Sequence, residues 1–416
     1  MREMKDSGIE WVGTIPAHWS TMPNKYVMRK IKVINPTYNG ENILSLTVNG
    51  VIVRDLEAGG KMPSSFDGYQ ILYKGNLLMC LFDYDVTPRC IGLIKDSGVS
   101  SPAYSQFVLQ RGNDAAYFYY YYLMVDHTKA LLHRAKNLRH SFTEEQLGAI
   151  KVPVPPIAEQ ERIADFLDSQ CSQIDAISAD IQKEIETLEQ YKRSLVFEAI
   201  SKGINGEKTA NASSDIWKEI PQSWKLVDIK YLFEIVKRIA GREGYNILSV
   251  TQKGLKVKDI SGNQGQIAEN YSGYQFVFPS DYVMNHMDLL TGWIDCSDQF
   301  GVTSPDYRVF RLRDKTQNDT EYYKYVMQCC YMCRIFYSLG QGVSTLGRWR
   351  LQTSAFMNFK VPVPPLREQK EIARYLNDKC KEIELSIEQK RKQLELLSAY
   401  KKSLIYEYVT GKKEVI

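Results

Sequence analysis

The chain has 416 residues, of which 44% are hydrophobic and 25% charged, and its formal net charge is +4. That length exceeds what one hydrophobic core usually supports, so we expect two domains or more. The polar first residues and the lack of any run near 18 apolar residues argue against a signal peptide and a membrane span, so the cytoplasm is the expected compartment.

The first predicted domain, head 1, covers residues 1–152 and mixes strand-like with helix-like segments. Strand-like runs fall at residues 43–46, 51–54, 77–81 and 107–110, a helical stretch lies near 115–133, and turn signals such as Asn49-Gly50 separate them. The pattern predicts a mixed α/β (α+β) domain. For the tyrosine-rich run 117–122 we favour packing in a helix core over base stacking.

Head 1 also carries candidate DNA-binding residues in two places. One group follows the second repeated strand and the other precedes the proline-rich hinge, and together they are Arg54, Lys61, Arg134, Lys136, Asn137 and Arg139. Arg and Lys side chains contact phosphates, and Asn can read a base edge. The alternative interpretation is that these are ordinary solvated surface residues.

Residues 153–203 are predicted to form a hinge and a long coiled-coil helix. Apolar residues recur every seven positions at Leu167, Ile174, Ile181, Leu188 and Leu195, which is the heptad pattern of a coiled coil. The prolines before the helix fix its start, and Gly203 marks its end. At 1.5 Å per residue, such a helix is roughly 65–70 Å long.

Head 2, predicted over residues 204–361, repeats head 1 loosely. Ile220-Pro221-x-x-Trp224 matches Ile15-Pro16-x-x-Trp19, and in both copies we expect the tryptophan to be a structural anchor. Strand-like runs lie at 247–250, 276–278 and 307–312, and a helical stretch lies at 320–338. The candidate DNA-binding residues here are Lys253, Lys256, Lys258, Arg348 and Arg350.

The chain has eight cysteines, which we expect to be reduced. Cys330 and Cys333 have C-x-x-C spacing, but no second ligand pair follows them, and their neighbours are apolar. A buried structural role is favoured over a metal or redox role.

The second hinge and long helix, predicted over residues 362–416, repeat the first closely. The hinge Lys151-Val152-Pro153-Val154-Pro155-Pro156 recurs at residues 360–365, and the heptad residues recur as Leu376, Ile383, Leu397 and Leu404, with Lys390 in place of Ile181. We expect the two helices to pair antiparallel within the chain. The alternative is a dimerisation stalk between chains.

Motifs for catalysis are missing from the sequence. It has no G-x-x-x-x-G-K-[ST] loop, no H-E-x-x-H helix and no G-x-S-x-G elbow, and its five histidines are scattered. We therefore expect no enzymatic activity, no metal site and no cofactor bound by this chain.

Three features together identify a family. They are the segment Asp6-Ser7-Gly8-Ile9-Glu10-Trp11 before Ile15-Pro16-x-x-Trp19, two copies of Val-Pro-x-Pro-Pro-x-x-Glu-Gln-x-x-Ile-Ala leading into a long helix, and two diverged heads in tandem. In these features the chain resembles the specificity subunit of type I restriction–modification systems, over essentially its whole length.

The resemblance implies that the heads are target recognition domains, each binding one half of a bipartite, asymmetric double-stranded DNA sequence. It implies that the helices form a pseudo-two-fold spacer that docks two modification subunits, similar to adenine methyltransferases that use S-adenosylmethionine. Restriction subunits using ATP and Mg can join them. A structural coiled-coil adaptor whose exposed proline-rich hinges are peptide ligands is the alternative function.

Overall fold

The computed structural model describes residues 2–57, 63–135, 140–212, 214–258, 270–342 and 349–415. The chain forms two compact units. Unit 1 comprises residues 1–182 and 392–416, and unit 2 comprises residues 183–391. Each unit therefore contains one head, the beginning of one long helix and the end of the other. The domains predicted from the sequence are consecutive segments of the chain, and their boundaries stay a prediction.

Head 1 is built from short strands and two helices that precede the first long helix. The strands are β1 (Met4–Asp6), β2 (Thr14–Pro16), β3 (Ser20–Pro23), β4 (Met28–Ile31), β5 (Leu44–Thr47), β6 (Gly50–Val53), β7 (Gln70–Leu72), β8 (Leu77–Met79), β9 (Ile91–Leu93), β10 (Gly98–Ser100), β11 (Ser105–Leu109) and β12 (Lys151–Val154). The helices are α1 (Ala115–His127), α2 (Glu144–Ala149) and the long α3 (Ile157–Lys202).

Head 2 repeats this order with small additions. Its strands are β13 (Thr209–Asn211), β14 (Glu219–Pro221), β15 (Lys225–Asp228), β16 (Phe233–Val236), β17 (Leu248–Thr251), β18 (Gly254–Val257), β19 (Gln275–Val277), β20 (Tyr282–Met284), β21 (Ile294–Cys296), β22 (Gly301–Thr303), β23 (Arg308–Leu312) and β24 (Lys360–Val363). Its helices are α4 (Ile229–Leu232), α5 (Thr320–Met332), α6 (Ile335–Ser338), α7 (Thr353–Met357) and the long α8 (Leu366–Val409).

The central sheet of each head has four antiparallel strands. Its order is β4-β11-β8-β9 in head 1 and β16-β23-β20-β21 in head 2. Helices α1 and α5 pack on these sheets, and their tyrosine-rich segments lie in the cores, since Tyr117, Tyr121, Tyr322 and Tyr323 are all 0% exposed. The predicted α+β heads and the packing of the tyrosines are confirmed.

The proline-rich hinges belong to the heads. Strand β12 pairs antiparallel with β3, and β24 pairs with β15. Val152 and Val361 are fully buried, and Pro155 and Pro364 are buried, whereas the next prolines, Pro156 and Pro365, are exposed. A proline-rich ligand must present its prolines to its partner, and the paired, mostly buried hinge strands do not favour the adaptor hypothesis.

The long helices run antiparallel to each other within each unit. In unit 1 the ammonium of Lys401 lies 2.6 Å from a carboxylate oxygen of Asp175. In unit 2 Lys390 pairs with Glu184, and Lys192 of α3 pairs with Glu384 of α8 at 2.5 Å. Residue numbers fall along α8 as they rise along α3, which confirms antiparallel pairing within the chain. Lys390, placed where a heptad leucine or isoleucine was expected, is used for an ion pair across the two helices.

Most predicted heptad residues lie in the interface between the helices or against a head. Leu167, Ile174, Leu376, Ile383 and Leu404 are buried, and the partly buried ones are Ile181, Leu188, Leu195 and Leu397. Among the described residues, no helix combines the length and the apolar character that crossing a bilayer requires.

Each head is fixed to the helices at a junction containing a tryptophan, a glutamate and a glycine. Junction 1 comprises Trp19, Glu159 and Gly411, and junction 2 comprises Trp224, Glu368 and Gly203. The indole N–H of Trp19 donates to Glu159 Oε2 at 3.0 Å, and that of Trp224 donates to Glu368 Oε2 at 2.9 Å. The expected anchoring role of the two tryptophans is confirmed.

The two glycines end the long helices with positive φ angles of 68° at Gly411 and 72° at Gly203. Side chains rarely adopt this left-handed backbone, and it commonly ends a helix at glycine. The end of α8 thereby meets the start of α3 in unit 1, while the end of α3 meets the start of α8 in unit 2.

Candidate nucleic-acid interface

A two-stranded hairpin occurs at the same place in both heads, as β5–β6 and β17–β18. Arg54 and Lys258 are the first residues after these hairpins. Their backbone N–H groups donate to Ile43 O and Ile247 O, each at 2.7 Å. The two predicted DNA-binding residues therefore occupy equivalent positions, and both side chains are partly exposed.

The hairpins differ in charge. In head 2, Lys253 lies in the hairpin turn and Lys256 on β18, and both are exposed. Head 1 has Asn49 and Ile52 at the matching positions. The β17–β18 hairpin thus presents three lysines, whereas the β5–β6 hairpin presents a single arginine. Clustered lysines attract phosphate, so the two hairpins differ in how they can meet a nucleic acid.

Arg134 is exposed on a short 3₁₀ turn spanning Leu132–Arg134. Its guanidinium carbon lies 5.1 Å from the centroid of the Trp11 ring, a cation–π geometry that holds the charge at the surface. The remaining predicted residues of these groups, Lys61, Lys136, Asn137, Arg139 and Arg348, lie outside the described residues.

Arg350 is exposed beside a second positive group that the sequence analysis missed. Arg308 on β23 is 5% exposed, and its guanidinium donates to Leu351 O at 3.1 Å and to Thr353 Oγ1 at 3.2 Å. Burial lowers the pKa of Arg308 to about 10. No carboxylate within the described ranges forms an ion pair with it.

The two arginines affect the pKa of a neighbouring histidine, His286. Burial, followed by the charges of Arg308 and Arg350, lowers the pKa of His286 to about 4. The imidazole is therefore neutral at pH 7, and this side of head 2 holds its positive charge on arginine. Arg308 had no recognisable signal in the sequence, because it is a single arginine inside a strand-like run.

A further basic stretch precedes the β17–β18 hairpin and was also missed. Lys237 and Arg242 are exposed, and Arg238 between them is partly exposed. Three basic residues within six positions are a sequence signal for nucleic-acid binding that could have identified this stretch.

The C-x-x-C segment is packed in helix α5, as expected. Cys330 is 0% exposed, and the half-buried Cys333 has its sulfur 3.8 Å from that of Cys329. All eight cysteines are free thiols. Within the described part of the chain, no three His, Cys, Asp or Glu side chains are grouped as metal ligands.

Comparisons with known proteins agree on one family. A family model described as the type I restriction modification DNA specificity domain matches residues 65–187 and 221–396, which is more than half of the chain. The type I restriction enzyme MjaVIII specificity subunit of Methanocaldococcus jannaschii is 27% identical over 285 residues, covering 64% of this chain and 63% of that protein. The putative type I restriction enzyme MjaX specificity subunit of the same organism is 27% identical over 305 residues, covering 69% and 64%.

Both matches span a little less than two thirds of the relatives' lengths. A solved chain from work on complex assembly and conformational transition of the type I R-M system has a TM-score of 0.67 at 13% identity, covering 96% of this chain and 99% of that one. At this identity the likeness concerns the fold.

Proposed function

The chain belongs to the type I restriction–modification DNA specificity family, and on that basis we propose that each head binds one half of a bipartite, asymmetric DNA sequence. The chain itself is non-catalytic. Two methyltransferase subunits that use S-adenosylmethionine dock on it in the cytoplasm, and restriction subunits that use ATP and Mg can join them.

The observation that carries the proposal is the contrast between constant and variable parts of the two units. Sheet order, hinge strands and junctions repeat from head to head. The hairpins do not repeat chemically, because β17–β18 presents Lys253, Lys256 and Lys258 while β5–β6 presents Arg54. A reader of two different half-sites needs a common scaffold and different contact surfaces.

Two identical partner subunits can dock in the same way only if both units expose the same group. Tyr26 and Tyr231 are 58% and 67% exposed, and they are separated by the offset of 205 that relates the two heads. In each, the preceding lysine places its ammonium over the tyrosine ring, at 5.1 Å for Lys25 and 5.2 Å for Lys230. We assign these Lys–Tyr pairs to the methyltransferase docking surfaces.

Methylome sequencing of cells with and without the gene tests the function. We expect one bipartite motif with methylated adenines to disappear when the gene is deleted. If no such motif depends on the gene, the proposal is wrong.

The hairpin assignment is tested by DNA affinity of the complex at several salt concentrations. Replacing Lys253, Lys256 and Lys258 with alanine should weaken binding and reduce the slope of log affinity against log salt by about 1 for each phosphate that a lysine no longer neutralises. Alanine at Lys208, Lys218 and Lys225, three other exposed lysines of head 2, is the matched control. An equal loss in both triple variants would contradict a specific role for the hairpin.

A further inference from the structure

Head 2 has an exposed surface of four aromatic rings, Tyr245, Phe276, Phe278 and Phe300, here called the aromatic surface. The ring centroids of Phe276 and Phe300 are 5.6 Å apart and stacked, Phe278 lies 5.1 Å from Phe300, and Tyr245 lies 5.0 Å from Phe276. Phe278 is 41% exposed and Phe300 is 43% exposed. Exposed rings that are grouped into one contiguous patch often mark a place where a surface meets a partner.

The rings are held by the paired strands β19 and β22 and by the segment before β17. On β19, Gln275 and Val277 are buried, and Phe276 between them points to the opposite face. Phe300 immediately precedes β22, and Tyr245 lies just before β17. The aromatic surface therefore belongs to the same part of head 2 as the lysine hairpin, and its geometry is fixed by strand pairing.

Basic side chains border the rings. The guanidinium carbon of Arg238 lies 4.7 Å from the centroid of Phe278, and that of Arg242 lies 5.5 Å from the centroid of Tyr245. Arg238 is also paired with the buried Asp281, so its charge is partly neutralised. Arg242 donates to the Tyr245 hydroxyl at 2.7 Å and is otherwise exposed, as is Lys237.

Acidic residues also lie in this region, and two of them, Asp281 and Asp295, are bonded to Arg238 and to the hairpin backbone. Glu243 accepts a hydrogen bond from the backbone N–H of Tyr271, and Asp298 is exposed near Phe300. The hairpin lysines add to Lys237 and Arg242, so the basic side chains of this region outnumber the acidic ones.

Head 1 does not have the aromatic surface. The offset between the copies places Ile71 and Tyr73 at the positions of Phe276 and Phe278, and Glu41 at the position of Tyr245. The Glu41 carboxylate accepts hydrogen bonds from Asn35 and from the backbone N–H of Asn39. Tyr73 is 42% exposed, and within the described residues it contacts no other aromatic ring.

We propose that the aromatic surface packs against the sugars and base edges of the DNA half-site read by head 2, with Arg242 and Lys237 on the flanking phosphates. This inference rests on the proposed function. Apolar side chains that pack into or wedge open a groove are a known means of binding DNA, and basic neighbours supply the phosphate contacts.

DNA is favoured over a protein partner because the surface occurs in one head only. A partner that docks twice would need it on both heads. The two halves of an asymmetric DNA sequence differ, so a contact surface present in one head fits a half-site.

The test uses the full complex and duplex DNA carrying the motif found by methylome sequencing. The double variant Phe278→Ala/Phe300→Ala should bind this DNA roughly tenfold or more weakly, since aromatic contacts of this kind contribute strongly to nucleic-acid binding. Tyr73→Ala in head 1 is the control and should change affinity less than twofold. The variant Phe278→Leu/Phe300→Leu keeps apolar bulk, so it should retain part of the affinity that the alanine variant loses, while its melting temperature stays near that of the wild type.

Photocrosslinking gives a second readout of direct contact. DNA with 5-iododeoxyuridine placed along the head 2 half-site should crosslink to Phe278 or Phe300, and iododeoxyuridine in the other half-site should not.

The outcomes separate the two proposals. If the wild type binds its bipartite DNA and the double variants bind it equally well without loss of crosslinks, the inference is overturned and the proposed function stands. If the variants lose the methyltransferase subunits instead of DNA, the surface is a protein-docking site and the inference is again overturned. If the wild type shows no sequence-selective binding, both fail.

Discussion

Junction 1 and junction 2 share a tryptophan, a glutamate and a glycine, but their glutamates lie in opposite electrostatic surroundings. Glu159 accepts from Trp19, lies 2.9 Å from His18 Nε2 and pairs with Arg2. Burial alone would raise the pKa of Glu159, but the hydrogen bonds from His18, Arg2 and Trp19 outweigh it, and the pKa is lowered. Junction 1 therefore contains a stabilised carboxylate.

Glu368 has fewer favourable partners. Trp224 is its one side-chain donor among the described residues. Burial raises the pKa of Glu368, the bond from Trp224 opposes this, and the negative charges of Glu207 and Glu371 raise it further. The offset of 205 places Glu207 where Arg2 stands and Ser223 where His18 stands.

The two junctions show that a repeated motif can keep its geometry while the charges around its glutamate change from positive to negative. The Trp–Glu hydrogen bond survives in both copies because it sets how the head meets the helix. The surrounding charges changed at positions outside the motif. The two junctions should consequently respond differently to the same perturbation, and the following variants test this.

The largest difference is expected from alanine at the two glycines. A Cβ at residue 411 would lie 2.4 Å from Pro16 Cδ and 2.9 Å from Trp19, whereas at residue 203 the nearest atom, 3.0 Å away, is the mobile carboxylate end of Glu368. Left-handed backbone costs both variants about 1–2 kcal/mol, and overpacking adds about 1–3 kcal/mol at Gly411. Denaturant unfolding should therefore show Gly411→Ala as clearly less stable than Gly203→Ala. Equal losses would mean that Pro16 moves aside freely.

The next largest effect on stability is expected from exchanging the charges at Arg2 and Glu207, the matching positions of the two junctions. Arg2→Glu removes a charged hydrogen-bond partner of Glu159 and should cost about 1.5–3 kcal/mol in unit 1. Glu207→Arg should instead stabilise unit 2, because replacing a negative charge near Glu368 with a cation outweighs the two exposed hydrogen bonds that Glu207 accepts from Ser223. Hydrogen exchange followed by mass spectrometry resolves the two units. A loss of protection in unit 2 on Glu207→Arg would contradict our account, and Arg2→Gln separates the missing ion pair from added repulsion.

Removing only the indole N–H should have a smaller and asymmetric effect. Trp224→Phe leaves Glu368 without a side-chain donor and should cost about 1 kcal/mol. Trp19→Phe should cost less, since His18 and Arg2 still contact Glu159. Thermal unfolding compares the two variants directly, because the substitution is the same in both. A greater loss for Trp19→Phe would show that ring packing, not hydrogen bonding, decides the difference.

The smallest effect expected is a pH dependence of opposite sign in the two junctions. The pKa of Glu368 is raised above its usual 4.5, so its contribution to stability is complete below that value and is lost as pH rises through the raised pKa. The pKa of Glu159 is lowered, so its contribution persists above 4.5 and is lost only in stronger acid.

Acidification from pH 7 to pH 4.5 should therefore strengthen junction 2 through Glu368, while Glu159 keeps its own contribution to junction 1 over the same range. Hydrogen exchange, corrected for the intrinsic pH dependence of the rate, measures this in each unit. Glu368→Gln should abolish the response of unit 2, and Glu159→Gln serves as its counterpart. A response of unit 2 that survives Glu368→Gln would assign the effect to another group.

Much of the fold was predictable because its signals are local. The strand runs, the α1 and α5 helices and the heptads of α3 and α8 follow from local sequence patterns, and Gly203 ends α3 as expected. The pairing of the hinge with β3 and β15 could not be predicted, since it joins residues far apart in the chain.

The candidate interface was less predictable for the same reason. Basic residues such as Lys253 and Lys256 could be found in the sequence, and Lys237 and Arg242 could have been. The aromatic surface could not, because residues 245, 276, 278 and 300 meet only after β17, β19 and β22 have paired.

The division of the chain also has a consequence during protein synthesis. Unit 2 is one continuous segment, but unit 1 buries Leu404, Ile405 and Val409, which are translated after the whole of unit 2. The ribosome thus makes head 1 first, yet head 1 is completed last, after all of unit 2 has emerged. Before α8 packs onto head 1, the apolar groups that it covers, including the ring of Trp19, are exposed to solvent and accessible to chaperones.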